Sequence, residues 1–232
     1  MTDIRTETVP LVDGTALRLT VAEPVSAVRG GIVVLHEARG VTDAVRAIVQ
    51  GLAADGWLVV APHLYHRDGA DELDGADDEV QQQVDRLEDE QMMADTDTAF
   101  GWLAEHGVDA DLMGVIGFDL GGSVALLVAA KRTLGAAVTV AGEGVSASPA
   151  TGFKALIAEA PNLTCPWLGI FGELPSGGLD PEVSQLRDAA ASSEVATDVV
   201  VYPRRGHRFD DDPGLAAEAW QRTLNWFDSH LR

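Results

Sequence analysis

The residues of this chain best suited to chemistry stand just beyond short apolar runs. Leu112 to Ile116 lead into Gly117-Phe118-Asp119-Leu120-Gly121-Gly122, and the apolar stretch Val124 to Ala130 follows. Buried strand, glycine-flanked turn and apolar helix, in that order, outline a nucleophile elbow. Such a bend is tight enough for a neighbouring Cβ to collide, and its central side chain is pushed out over the end of a sheet. The central residue is Asp119, where Ser or Cys normally stands. The next backbone N–H, that of Leu120, is placed to hold a developing oxyanion. His207 lies in Gly206-His207-Arg208-Phe209, and an imidazole that is neutral near pH 7 can take a proton and return it. Glu37 stands one residue beyond the run Gly31 to Leu35, after His36, and Arg67 closes Pro62-His63-Leu64-Tyr65-His66-Arg67 after the run Trp57 to Ala61. The Arg67 fork suits a carboxylate, either of a ligand or of a neighbouring acid. Glu173 and Asp180 follow a further apolar run, Trp167 to Gly172.

These residues need elements to position them. Residues 7–22 read as two extended stretches joined at Asp13-Gly14, and 31–35 as a fully buried strand. A helix is expected from Thr42 to Asp55, with Val45, Ile48, Val49 and Leu52 on one face and Gly56 closing it. Residues 57–61 form the next strand, 68–79 an exposed acidic loop, and 78–106 one long helix. The elbow strand and helix come next, then a strand at 137–141 and a segment, 142–162, that crosses a sheet end. A strand at 167–172, a helix at 181–191 and a strand at 198–202 lead to a terminal helix opened by Asp212-Pro213. This alternation implies one α/β domain over residues 1–232, with a mostly parallel central sheet of about seven to eight strands and helices on both faces. An elbow residue, then an acid, then a histidine is the chain order of the three-layer α/β-hydrolase fold.

Composition narrows the partners. Sixteen basic against thirty-seven acidic residues give a formal charge of −21, which repels nucleic acid and anionic membrane surfaces. Apolar content of 46% fits a sizeable core, and no run approaches the ~18 apolar residues of a membrane span. Met1-Thr2-Asp3-Ile4-Arg5 lacks the layout of a secretory leader, and Cys165 is the single cysteine. A cytoplasmic protein without disulfides is therefore expected, acting on a small molecule as a monomer or weak homodimer. No GxGxxG, Walker, CxxC or HExxH pattern calls for an organic cofactor or a metal.

The chain resembles the dienelactone hydrolase family from about residue 15 to its C-terminus. The likeness rests on Leu35-His36-Glu37, Pro62-His63-Leu64-Tyr65-His66-Arg67, the Gly-Phe-Asp-Leu-Gly-Gly elbow and Gly206-His207-Arg208-Phe209. The resemblance implies a small-ester or lactone hydrolase in which the residue at 119 is the nucleophile, His207 its base and Glu37 a partner of the resting nucleophile. It implies an oxyanion hole from the N–H groups of Leu120 and Ala38, with Arg67 holding the carboxylate of an anionic lactone. The family's nucleophile is Cys, here Asp119. The acid that should follow the strand-end glycine closely is displaced, with Asp180 preferred because Asp180-Pro181 can open the next helix and Glu173 as the alternative. The position of a second substrate-binding arginine is held by Asp211.

An aspartate changes the chemistry of the elbow. Carboxylate attack at an ester carbonyl gives a mixed anhydride, whereas attack at a carbon bearing halide, or at an epoxide carbon, gives an alkyl ester that water can cleave. Three readings follow: ester or lactone hydrolysis by His207-activated water beside Asp119, an Asp-nucleophile hydrolase of dehalogenase or epoxide hydrolase type, and an inactive relative that binds a small molecule. His63, His66, His106 and His230 are read as surface or supporting residues, and Trp102, Trp220 and Trp226 as core.

Overall fold

The computed structural model describes residues 3–148, 152–203 and 209–231. The first hairpin pairs β1 (Ile4–Pro10) with β2 (Ala16–Ala22), turning at Asp13-Gly14 with Gly14 at φ +85°. β3 (Gly31–Leu35), β4 (Leu58–Pro62), β5 (Met113–Phe118), β6 (Ala136–Val140), β7 (Trp167–Gly172) and β8 (Thr197–Tyr202) complete one eight-stranded sheet in the order β1-β2-β4-β3-β5-β6-β7-β8. Only the β1–β2 and β2–β4 pairings are antiparallel. β3, β4 and β6 are buried along their whole length, as apolar runs in a sheet covered on both faces must be.

Two apolar layers sandwich that sheet. On one side Val45, Val49, Leu52 and Ala53 of α1 (Asp43–Ala54) and Phe227 of α7 (Pro213–His230) meet Ile32, Val34, Val59 and Val138. On the other, Ala99, Trp102 and Leu103 of α3 (Asp89–Glu105), the apolar length of α4 (Leu120–Lys131) and Leu186 of α6 (Pro181–Ala190) cover Val33, Leu35, Val60 and Val115. The expected helix 42–55 is present, with Thr42 as N-cap and Gly56 beyond its end at φ +100°. Asp212 accepts hydrogen bonds from the Gly214 and Leu215 N–H groups at 2.8 and 3.3 Å, a cap that contributes about 1 kcal/mol.

Two expectations are corrected. The single helix over 78–106 is two, α2 (Asp77–Val84) and α3, because the chain turns at Asp85 to Glu88 so that Val84, Leu87 and Met92 can all reach the core. The acidic loop is not simply solvated. Arg39 Nη1 donates to the Leu73 and Gly75 carbonyls, Val41 N–H donates to Asp71 O and Leu73 N–H to Arg39 O, so the loop is tied to the segment after β3. The segment after β6 carries the four-residue helix α5 (Leu156–Glu159).

Candidate active site

The elbow is built as its glycines require. Asp119, between β5 and α4, has φ +48° and ψ −113°, a conformation that costs a non-glycine residue of order 1–3 kcal/mol and persists only when its surroundings impose it. A Cβ on Gly117 would overlap the Gly121 carbonyl, and one on Gly121 would overlap the carbonyl oxygens of Leu35 and His36. The helix start is thereby seated directly on the end of β3. Asp119 N–H donates to Val140 O at 2.9 Å, Ser123 N–H donates to Asp119 O at 3.1 Å, and Ser123 Oγ donates to Glu143 O at 2.7 Å. The Asp119 side chain makes no cap hydrogen bond, while its place at the head of α4 favours a negative charge. Ala141, the neighbour beyond β6, is the other non-glycine residue at positive φ among the described residues, at +52°.

Strand register sets the remaining groups in a row. Leu35 pairs with Gly117, so Glu37 and Asp119 leave adjacent strands two residues later at the same edge. Phe118 pairs with Val140, which puts Ala141-Gly142-Glu143 next in line. Gly172 pairs with Tyr202, and Glu173 N–H donates to Tyr202 O at 2.9 Å, so Glu173 stands where β8 releases the chain into Pro203. His207 follows in a segment, 204–208, outside the described residues. Asp180 lies further off along the chain as the N-cap of α6, its Oδ1 accepting the Glu182 N–H at 2.8 Å. Asp211 ends a one-turn helix, Phe209–Asp211.

The residues expected to form an oxyanion hole, Leu120 and Ala38, sit at two of these strand ends. Leu120 is the first residue of α4 and fully buried. Ala38 lies in the turn after β3, where Tyr65 Oη donates to the Ala38 carbonyl at 2.7 Å. Burial, then the Glu143 and Asp68 carboxylates, push the Tyr65 hydroxyl well above its ordinary value, so it stays a donor.

Arg67 is placed differently from the expectation of a ligand anchor. Its Nη1 and Nη2 donate to Asp95 Oδ2 and Oδ1 at 2.7 and 2.9 Å, and Asp13 lies 3.6 Å from Nη2. Asp95 is fully buried, and His66 Nε2 lies 3.1 Å from its Oδ2. The fork is thus matched to a protein carboxylate from α3. His63 is likewise interior, bonded to Thr20 Oγ1 and Asp71 Oδ1. His106 stacks on Trp102 at a ring distance of 3.8 Å, and His230 lies tilted against Trp226 at 4.4 Å. Among the described residues no group of three His, Cys, Asp or Glu side chains could hold a metal ion, and no helix is long and apolar enough to cross a membrane.

Glu143 adds a further acid at this edge, within the segment 142–162 expected only to cross a sheet end. The residue is exposed, yet desolvation by the surrounding protein raises its carboxyl above the usual range. An acid three residues past a buried strand was the available signal, of the same kind that marked Glu37.

Comparisons with known proteins agree with this fold. The family model described as "Dienelactone hydrolase family" matches residues 17–231. A Salmonella typhimurium protein named "Putative carboxymethylenebutenolidase" is 34% identical over 205 residues, 84% of this chain and 76% of its own. A carboxymethylenebutenolidase of Rhodococcus opacus is 29% identical over 220 residues, covering 86% of this chain and 81% of its own. Among solved structures, the "Putative Dienelactone Hydrolase" of Klebsiella pneumoniae superimposes with a TM-score of 0.86 at 28% identity, over 98% of this chain and 99% of that one. With its elbow, its strand order and this coverage, the chain belongs to the dienelactone hydrolase family and is a dienelactone hydrolase-like hydrolase of the α/β-hydrolase fold.

Proposed function

We propose that this protein hydrolyses a small ester or lactone by delivering water to the carbonyl carbon beside Asp119. The observation that carries the reading is the strained backbone of Asp119 at the head of α4, since strain of this kind is kept where a side chain must be aimed. In the scheme His207 takes one proton from water, and Asp119 accepts a hydrogen bond from the O–H that remains and stabilises the imidazolium that forms. Hydroxide adds to the carbonyl carbon, and the oxyanion is received by the N–H groups of Leu120 and Ala38. Collapse breaks the acyl C–O bond as the His207 imidazolium protonates the departing alkoxide. Glu37 stands beside Asp119 at the end of the neighbouring strand. Glu173, directly beyond β7, is the acid assigned to steady His207, because the Asp180 carboxylate already caps α6. The relatives named carboxymethylenebutenolidase support a lactone as the substrate class. The pairing of Arg67 with Asp95 supports a substrate that does not depend on that fork.

A second reading is favoured by the carboxylate itself, which attacks saturated carbon better than a carbonyl. Rates on p-nitrophenyl esters, a dienelactone and a haloacid panel, for wild type, Asp119→Asn and Asp119→Cys, separate the readings. Ester or lactone turnover that falls by about 10² or more in Asp119→Asn supports the proposal. Incorporation of 18O from labelled water into Asp119 would replace it with the alkyl-ester route. Silence in wild type with activity in Asp119→Cys would mark a retired enzyme that binds a small molecule.

A further inference from the structure

The turn after β3 holds a hydrogen-bond arrangement that the scheme above does not use. His36 is fully buried, its Nδ1 lies 2.7 Å from the Glu37 carbonyl oxygen, and the Leu64 backbone N–H points at its Nε2 from 3.2 Å. A backbone N–H can only donate, so Nε2 is the acceptor and the ring proton belongs to Nδ1. His36 is therefore a neutral Nδ1–H tautomer that donates to Glu37 O, an oxygen that also receives the Gly40 N–H at 3.1 Å. That carbonyl and the Ala38 N–H belong to one planar trans peptide unit and point in opposite directions. Fixing the oxygen fixes the N–H. The next peptide is fixed in the same way by the Tyr65 hydroxyl on the Ala38 carbonyl at 2.7 Å, and the His36 and Tyr65 rings lie 5.4 Å apart.

We propose that His36 and Tyr65 are positioning residues that clamp the two peptides flanking Ala38, and so aim and strengthen the Ala38 N–H as an oxyanion donor. This rests on the reading of Ala38 given above. Two physical effects operate. Pinning both carbonyls prevents the peptide flip that would replace an N–H by a C=O at the site. A donor on the Glu37 oxygen also polarises the amide, and hydrogen bonds in series strengthen one another. Burial holds the imidazole down to about 4, so the ring remains neutral and the tautomer stays fixed across ordinary working pH. Neither side chain need touch substrate, since both act through backbone groups.

The test uses the whole protein with two readouts. His36→Asn keeps an N–H donor near the Nδ1 position, His36→Leu removes it, and Tyr65→Phe removes the other clamp. The first readout is kcat and KM on p-nitrophenyl butyrate. The second, independent of turnover, is the 13C shift of the Glu37 carbonyl together with the 15N shift and order parameter of the Ala38 amide. His36→Leu and Tyr65→Phe should each lower kcat about tenfold with KM within about twofold, short of the loss on deleting an oxyanion donor outright. The Ala38 order parameter should fall from the ~0.85 of rigid backbone toward ~0.6. His36→Asn should restore both readouts. If His36→Leu does not fold, Tyr65→Phe carries the comparison. Unchanged Glu37 and Ala38 signals in the folded variants, or kcat lost equally in His36→Asn and His36→Leu, would overturn the clamp. If wild type turns over no ester, the hydrolase reading fails and the NMR signals alone decide.

Discussion

Replacing Asp95 by Asn separates a structural from a ligand-binding role for Arg67. Asp95 is fully buried, accepts both Arg67 Nη groups at 2.7 and 2.9 Å and lies 3.1 Å from His66 Nε2. The Arg67 side chain is 22% exposed. Removing one partner of a buried ion pair costs about 3–5 kcal/mol, because the other charge is left uncompensated. Here water reaches part of the guanidinium, and Asn retains one acceptor oxygen, so the cost should be about 2–3 kcal/mol. For a chain of this size each kcal/mol lowers the melting temperature by about 2–4 °C, which gives about 5–10 °C for Asp95→Asn. Thermal melts followed by circular dichroism, with urea titrations alongside, measure it directly. Arg67→Gln should lose stability to a similar degree and change KM equally for neutral esters and anionic lactones. The reasoning is refuted if Asp95→Asn melts within about 1 °C of wild type while Arg67→Gln raises KM selectively for an anionic lactone.

Other perturbations have worked directions. Gly121→Ala places a Cβ against two backbone oxygens that cannot rotate away, so it should cost more than the ~1–3 kcal/mol of ordinary overpacking and give insoluble protein or a sharply lowered melt. Burial depresses the folded His36 value to about 4 against about 6.5 unfolded. The unfolded chain thus binds the proton first, and stability that is full above about pH 6.5 is lost as pH falls toward 4, by about 3 kcal/mol. Urea titrations at pH 7 and pH 4.5 should show a smaller pH-dependent loss in His36→Asn than in wild type. Burial pushes the Cys165 thiol up to about 12, so iodoacetamide should label it only after denaturation, and rapid labelling of native protein would contradict its packing.

The parts of the molecule readable in the sequence were those written as local patterns. Fully apolar runs such as Gly31 to Leu35 could only be strands buried on both faces, and Thr42, Gly56 and Asp212 mark helix ends by their own chemistry. The elbow was readable because Gly117 answers a contact made four residues away, with Gly121, and the flanking glycines stand close together in the sequence; that Gly121 faces the Leu35 and His36 carbonyls at the end of β3 was not. What stayed hidden depends on long-range pairing. Nothing near Arg67 in the chain announces that Asp95, nearly two turns into α3, lies beneath its fork. The break at Asp85 to Glu88 is imposed by where the core lies, since the polar residues on either side are equally content in a helix. Glu143 comes to the elbow's edge of the sheet through the register of β5 with β6, and Glu173 through that of β7 with β8. The His36 tautomer depends on a backbone N–H twenty-eight residues away.

Whether the carboxylate at the elbow takes part in the reaction decides the chemistry of the site. Steady-state hydrolysis of p-nitrophenyl acetate by wild type and Asp119→Asn, with melting temperatures measured in parallel, addresses this most directly. Asn keeps the size of the side chain at the φ +48° position and removes only its charge and one acceptor oxygen. A fall in kcat of about 10² or more with the melt unchanged is the predicted result. Equal turnover in the two proteins would contradict it.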